Sequence, residues 1–422
     1  MRWPRGILLQ LIGKYSFIHD ARLQAIDARF TLLRHAIYAM APLSPVVIFR
    51  QSLLGLAWAG NERQMTALIP DDKIRLQQMI AGYMVSQVIH VAVTLGLPDL
   101  LETGEASAQA LAKATGTHDQ SLARLLRALA ACGLVEEPQP GCLKLTAFGA
   151  LLRADVPGSL RNLALALGGE TMWRSWGDLL HAVSTGANAF EHLFGMRSFE
   201  HASLHPDRAA IFDAYMADLT RASTVAILAS HDFSAYRSIV DVGGGNGALL
   251  SEILVAAPAA ECSIFDTPSG VAGAMRRLEQ AGVARRCRVV TGDFFKSVPE
   301  GADAYILKSV LHDWEDERAL AILENSRGAM RLDSVLLIVE RLLPERIECC
   351  EAHREITMMD LHMLVMPGGR ERTGVEYAEL CATAGLELIQ TKQTGSPFAI
   401  MQARKIDART SRDGAQDEEQ AP

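Results

Sequence analysis

The sequence predicts an α/β protein, with a doubly wound parallel sheet in its C-terminal half and a mainly helical region before it. Three observations carry this. From Ser238 onward, short apolar runs alternate with amphipathic helical segments. A glycine-rich turn, Asp241-Val242-Gly243-Gly244-Gly245-Asn246-Gly247, stands between the first strand and the helix that follows it. Between about Asp71 and Leu145, helix, turn, helix and hairpin follow one another.

In the helical region, Ile80–Leu97 reads as a long apolar helix stopped by Gly96 and Pro98. Ser107–Ala114 is a short helix closed by Gly116-Thr117. Asp119–Ala131 is amphipathic, with Leu122, Leu125, Leu126 and Leu129 on one face, and Gly133 closes it. Leu134-Val135 and Leu143–Leu145, joined by the turn Pro138–Gly141, form a small hairpin. This is a winged-helix outline. Readout of DNA by such a module needs a basic, polar face, whereas the second helix offers only Arg124 and Arg127 among Leu and Ala. The module is therefore expected to serve packing, with no nucleic-acid partner. Further helices are expected at Arg161–Leu167, Met172–Val183, Pro206–Asp218 and Thr220–Ala229, broken by Gly168-Gly169 and by a loop at Gly186–Gly195. Aromatics at helical spacing are usually core. Phe212 and Met216, four residues apart on one face, are also candidates for the wall of a pocket for a planar substrate.

The alternating half reads as strands Ser238–Val242, Cys262–Phe265, Arg288–Thr291, Ala304–Lys308 and Val335–Val339, with helices Ala248–Ala257, Ala272–Gln280 and Glu315–Met330 between them. Two late strands, Glu387–Thr391 and Phe398–Gln402, follow, separated by Gly395 and Pro397. Ligands of such a sheet sit at the carboxyl ends of its strands. The tail after about Lys405 lacks apolar periodicity and is expected to be disordered.

At 422 residues, with 49% hydrophobic and 21% charged side chains, the chain has material for two or three globular cores. A net charge of −8 argues against a dedicated nucleic-acid binder. The charge is uneven: residues 1–64 carry eight basic and three acidic side chains, a net +5, so the remainder carries −13. Seven cysteines without a Cys-x-x-Cys pair point to free thiols in a reducing, cytoplasmic setting. Ile7–Ile12 is too short for a signal-peptide core, and Pro42, Pro45 and Arg50 interrupt the apolar stretch Ile37–Gly60, so no membrane span is expected. The expected division is 1–70, a basic and apolar extension capable at most of weak surface association; 71–230, the helical region; 231–404, the alternating sheet; and 405–422, the tail.

The glycine turn lets the backbone bend tightly and approach a ligand, and the helix behind it presents free N–H donors. Gly243, Gly245 and Ala248 also satisfy a dinucleotide pattern, so a nicotinamide-dependent oxidoreductase is one alternative and a winged-helix regulator another. Asp241, immediately before the glycines, would repel a pyrophosphate but suits a ligand with an amino group. Asp266 follows the second strand, where a carboxylate can accept both ribose hydroxyls. Asp293 can bond an adenine amine while Phe294 packs on the ring. Lys308, in an apolar strand, must reach a polar partner or the sheet edge. His312 follows the fourth strand, Glu340 ends the fifth, and Glu371 lies in Pro367-Gly368-Gly369-Arg370-Glu371-Arg372-Thr373. A carboxylate beside an imidazole fixes its tautomer and raises its pKa, which suits a general base. Cys349, Cys350, His353 and Asp360 match no common zinc spacing, and no metal is expected.

Taken in order, DVGGGNG, FDTP, GDFF, LKSVLHDWEDE, VERLLP and PGGRERT resemble the class I S-adenosylmethionine-dependent O-methyltransferases of the plant caffeic-acid and bacterial polyketide-tailoring type, over roughly residues 75–404. The resemblance implies a Rossmann-like methyltransferase sheet behind a winged-helix-like domain that dimerises, a place in secondary metabolism, and a hydroxylated, aromatic or conjugated small molecule as acceptor. By position it implies S-adenosylmethionine contacts at Gly243, Asp266, Asp293, Phe294 and Lys308, to which the residue reading adds Asp241 and Gly245. It implies His312 as catalytic base, Glu340 and Glu371 as the acids that orient it, and Asp313 as an adjacent acid near the substrate. Two departures stand out: Met366 replaces the Asn that precedes the PGG in the plant pattern, and the first 70 or so residues have no counterpart.

Overall fold

The computed structural model describes residues 70–406. The chain divides into two units, Met1–Ile74 and Arg75–Pro422, and the description concerns the second. The expectations for the N-terminal extension, for Ile37–Gly60 and for the tail beyond Ile406 lie outside the described residues.

The helical region opens with α1 (Pro70–Thr94), ten residues longer at its start than the apolar pattern suggests, and α2 (Leu97–Leu100). Gly96, at φ 69°, turns the chain left-handed between them, and Pro98 starts the second. β1 (Ala106–Ser107) leads into α3 (Ala108–Thr115), where the Ser107 hydroxyl accepts from the Ala110 N–H at 3.2 Å as an N-cap. α4 (Asp119–Ala131) has the expected bounds and buries Leu122, Leu126 and Leu129. Each such leucine contributes roughly 1.5–3 kcal/mol of burial. β2 (Val135–Gln139) and β3 (Cys142–Leu145) form the wing, to which β1 adds a third, antiparallel strand. A two-residue strand has no periodicity to betray it.

Six helices follow: α5 (Arg161–Gly168), α6 (Glu170–Gly177), α7 (Leu179–Thr185), α8 (Ala189–Phe194), α9 (Ser198–Leu204) and α10 (Pro206–Ser230). Three expectations are corrected. The helix expected over Met172–Val183 is two, broken at Gly177-Asp178. Pro206–Asp218 and Thr220–Ala229 are one continuous helix, since nothing at Leu219 breaks it. The loop at Gly186–Gly195 contains α8, capped by the Asn188 carboxamide oxygen on the Glu191 N–H at 2.7 Å and closed by Gly195 at φ 70°.

The sheet is built from β4 (Ser238–Val242), α11 (Ala248–Ala256), β5 (Glu261–Asp266), α12 (Ala274–Gln280), β6 (Cys287–Thr291), β7 (Ala304–Lys308), α13 (Asp316–Ala329), β8 (Val335–Leu343), α14 (Glu351–Val365), β9 (Arg372–Thr373), α15 (Gly374–Thr383), β10 (Leu386–Gln393) and β11 (Phe398–Lys405). The strand order is β6-β5-β4-β7-β8-β11-β10, with β9 beside the far end of β8. The chain winds outward from β4 to β6 and then returns to β7, so the direction of winding switches between β4 and β7. Val240, Val242, Tyr305, Leu307, Leu336 and Ile338 face one core; Ile239, Ile264, Ala304, Ile306, Leu337 and Val339 face the other. Both faces are covered, which explains the uninterrupted apolar runs.

The sheet is not wholly parallel. β11 is antiparallel to both β8 and β10. The short connection between β10 and β11 cannot make the crossover that a parallel pair needs. β8 runs on to Leu343 instead of stopping at Val339, and α14 and α15 lie where the sequence reading assigned no element. α10, assigned to the helical region, packs on α5, α11 and β11 alike, so the contacts make no clean break at residue 230. Among the described residues no helix is long and apolar enough to cross a membrane.

Candidate active site

The glycine turn sits at the carboxyl end of β4. Gly243, Gly245 and Gly247 have φ of 74°, 55° and 74°, a region that favours glycine. A Cβ on Gly243 would lie 2.6 Å from the Val310 side chain, whereas none would touch anything within 4 Å of Gly245. The turn is pinned by the Gly243 N–H on Phe265 O at 2.8 Å and the Gly245 N–H on Asp266 Oδ2 at 2.9 Å. Asp266, the last residue of β5, also accepts from the Thr267 N–H at 2.6 Å. Burial raises its pKa, and these N–H donors oppose the rise.

Asp241 lies beneath the turn: a Cβ on Gly244 would be 2.7 Å from its Oδ2. Burial pushes its carboxyl up to about 7, against the pull of Lys308. Lys308 is itself lowered to about 8 by burial, with Glu340 and Asp241 opposing. Its ammonium donates to Thr220 Oγ1 at 3.3 Å and Ser309 Oγ at 3.2 Å, and lies 4.7 Å from the centre of the Phe398 ring. The polar partners that this lysine requires therefore exist. Asp293 is half-exposed, accepts from the Phe295 N–H at 3.0 Å and pairs with Lys296 at 3.1 Å. Phe294 is part-buried in an aromatic group with Phe295 and Trp314.

His312 lies in a short helical turn, Leu311–Asp313, after β7. Its Nδ1 is 2.9 Å from Glu371 Oε1 and 3.8 Å from Glu340 Oε2, and its Nε2 is 3.6 Å from Asp313 Oδ1. His312 is 8% exposed, Glu340 and Glu371 0%. Burial disfavours the imidazolium, but Glu340, Glu371 and Asp313 outweigh it and drive His312 up to about 10. Burial raises Asp313 to about 7 and also raises Glu340, with His312 opposing in both. Because Glu371 accepts at Nδ1, the ring presents Nε2 as its exchangeable position.

Glu340 does not end its strand. It sits inside β8, paired with Ala399 of β11, one residue beyond the last pairing with β7. Its Oε1 accepts from both Val310 and Leu311 N–H groups at 2.9 Å and so holds the backbone leading to His312. Just before it, Ser309 is the one non-glycine residue among those described with positive φ, 54°. Local strain of this kind costs about 1–3 kcal/mol and persists where the surroundings enforce it.

Three supporting residues escaped the sequence reading. Arg372 is 1% exposed. It donates to Leu311 O at 3.0 Å, to Trp314 O at 2.8 Å, and twice to Asp316 Oδ1 at 2.9 and 2.7 Å. A charged residue in the quoted PGGRERT was its available signal. Gly369 approaches so closely that a Cβ would lie 2.1 Å from His312 O, and the next N–H, of Arg370, donates to that oxygen at 2.9 Å. Asp360, on α14, accepts the Glu371 N–H at 2.9 Å.

Of the expected substrate residues, Phe212 joins an apolar cluster of Met172, Phe190, Val365, Met366 and Trp176, whereas Met216, one turn later and part-buried, does not. Met366 also presents its carbonyl to the Asn188 carboxamide at 3.0 Å. Among the described residues, two groups bring three ligand-type atoms within 4.8 Å: Asp178, His181 and His192, and the His312, Glu340 and Glu371 set itself. In the second, Glu340 Oε1 is committed to backbone N–H groups and His312 Nδ1 to Glu371.

Residues 77–168 match the O-methyltransferase dimerisation domain, and residues 176–387 match the O-methyltransferase domain. The chain is 40% identical over 346 residues to the phenazine O-methyltransferase PhzM of Lysobacter antibioticus, covering 82% of this chain and 100% of that protein. It is 40% identical over 337 residues to the O-demethylpuromycin-O-methyltransferase of Streptomyces alboniger, covering 79% and 89%. It also resembles the crystal structure of an O-methyltransferase from neocarzinostatin biosynthesis bound to S-adenosylmethionine and 2-hydroxy-5-methyl naphthoic acid, with a TM-score of 0.68, 34% identity, and coverage of 76% and 96%. These relatives support neither the oxidoreductase nor the DNA-binding alternative. The chain belongs to the S-adenosylmethionine-dependent O-methyltransferases that carry an N-terminal dimerisation domain.

Proposed function

We propose that His312 is the general base of methyl transfer to a hydroxyl of an aromatic or conjugated acceptor. The observation that carries this is the buried 2.9 Å contact between His312 Nδ1 and Glu371 Oε1, which leaves Nε2 available. A phenol has a pKa of about 10 and is a weak nucleophile at neutral pH. Glu340, Glu371 and Asp313 raise the basicity of His312 to about the same level. Proton transfer from phenol to imidazole then costs little, and Glu371 steadies the imidazolium that forms. Glu340 acts on the backbone of the His312 turn as much as on its ring.

The residues present fit S-adenosylmethionine. Gly245 has open space where a side chain would stand, and Asp266 meets the turn at the end of β5. Asp293 and Phe294 offer a polar group and an aromatic face at the end of β6, while Asp241 lies beneath the turn, where the Lys308 ammonium opposes the rise of its pKa. When bound, the donor supplies an electrophilic sulfonium methyl. The protein's part is to hold the acceptor oxygen in place, exclude water and take its proton at His312 Nε2.

Helices α6, α7, α8 and α10, Phe212 included, together with α14, form the acceptor wall in this reading. The chain works as a homodimer, supported by the dimerisation-domain match and by Leu76, Met79, Ile80, Tyr83, Met84 and Val85 exposed on α1. All seven cysteines are unpaired, which suits a reducing cytoplasm. The test is His312→Ala with a phenolic acceptor and labelled donor. Donor affinity by calorimetry should hold while turnover falls by about a hundredfold or more. Unchanged turnover would remove His312 from the mechanism.

A further inference from the structure

Trp176 on α6 and His362 on α14 are 186 residues apart, yet the indole Nε1–H donates to His362 Nδ1 at 3.1 Å. The two rings stack at 6.2 Å between centres with 21° between their planes. An indole N–H can only donate, so Nδ1 is an acceptor and the neutral ring carries its proton on Nε2. Burial, with His312 adding to it and Glu371 opposing, lowers His362 to about 4, which keeps it neutral at working pH. The Trp176 contact is the one hydrogen bond that the His362 ring makes among the described residues, and the residue keeps some accessible surface. Asp360, two positions earlier on the same helix, holds the Glu371 N–H, so this stretch of α14 borders the catalytic group. Trp176, which the His362 ring touches, belongs to one apolar cluster with Met366 and Phe212. A single oriented N–H thus stands in an apolar wall.

We propose that His362 is a specificity-determining residue whose Nε2–H, aligned by Trp176, donates a hydrogen bond to an uncharged carbonyl oxygen or ring nitrogen of the acceptor. A neutral donor offers no charge to hold a carboxylate, and Glu340, Glu371 and Asp313 make the neighbourhood unfavourable to a second anion. Acceptors that pair a reacting hydroxyl with a quinone, ketone or aza-arene edge satisfy the site. A purely carbocyclic phenol would cover this N–H without pairing it, which costs affinity. This proposal rests on the placement of the acceptor beside His312.

The test compares kcat/KM for two acceptors of equal ring count, a hydroxyquinone and a carbocyclic hydroxyarene, in wild type, His362→Leu, His362→Gln and Trp176→Phe. In wild type the ratio should favour the hydroxyquinone. In His362→Leu it should fall by about tenfold, mainly through KM. Glutamine, which keeps an N–H at similar reach, should restore part of it. Nitrogen NMR should show the Nε2–H tautomer in wild type and a mixture in Trp176→Phe. Donor binding by calorimetry reports whether each variant is folded. An unchanged ratio in a folded His362→Leu, or a wild-type ring protonated at Nδ1, overturns the proposal. His312→Ala run beside them separates the two readings: full turnover there removes the base and leaves the His362 ratio as its own result, whereas lost turnover there with an unchanged His362 ratio removes only the specificity role.

Discussion

His312 Nδ1 and Glu371 Oε1 lie 2.9 Å apart in a buried contact, although they are 59 positions apart in the chain. The contact joins the turn after β7 to the loop before β9. In the proposed mechanism it sets which ring nitrogen is left to face the acceptor, and it raises the basicity of the ring.

Glu371→Gln keeps a hydrogen-bonding group but removes the charge. Because Glu371 raises His312, the variant's imidazole becomes less basic. In wild type, turnover on a simple phenol should climb as pH rises from 7 toward 10, because His312 must first give up its proton. In the variant this ascending limb should begin at lower pH, with a plateau lower by about ten- to a hundredfold. Rate profiles between pH 6 and 10 measure both effects.

Asp266→Ala should weaken donor binding by about tenfold or more, since it removes a carboxylate at the end of β5 and frees the Gly245 N–H. Titration calorimetry reads this directly. An unaltered dissociation constant would separate Asp266 from the donor site.

Gly369→Ala places a methyl group 2.1 Å from His312 O and 2.4 Å from Trp314 N, backbone atoms with little freedom to yield. Overpacking of this kind costs about 1–3 kcal/mol. Turnover should drop further than stability does, because the displaced segment carries His312, the proposed base. Thermal melting and initial rates on the same preparation compare the two.

Arg372→Met keeps the length of the side chain but strands the carbonyl of Trp314 and leaves Leu311 O with only the Trp314 N–H at 3.3 Å. Leaving a buried carbonyl unpaired should lower stability by roughly 1–3 kcal/mol in denaturant titration. Asp316 is largely solvated and adds less. Restoring only a charge, as in Arg372→Lys, should recover little, since a lysine cannot match the planar fork that reaches Leu311 O, Trp314 O and Asp316 Oδ1 together.

Much of this arrangement was readable in the residues. β4, β7 and α4 have the bounds that apolar runs and leucine spacing suggest, because a strand buried on both faces and a one-sided helix leave plain signatures. His312 and Glu340 stood out as polar residues at the ends of apolar strands, and Glu371 in the loop Pro367–Thr373, and the three do converge. What stayed hidden depends on tertiary context. β1 is two residues long, α8 lies inside a glycine-rich stretch, and β8 outlasts its apolar run by continuing through Glu340 and Arg341. Arg372 looked like one more charge in a polar loop. Only its carbonyl partners, supplied from residues 311 and 314, give it a purpose.

The overlong β8 bears on heat. Glu340 is at once a rung of the ladder with β11 and the clasp on the Val310 and Leu311 N–H groups. Reactive geometry and the central sheet share the same bonds, so this part of the site has no locally melting unit of its own. On warming, loss of the aligned imidazole should coincide with collapse of the whole sheet, and heat-inactivation curves should superimpose on global unfolding, with no earlier step.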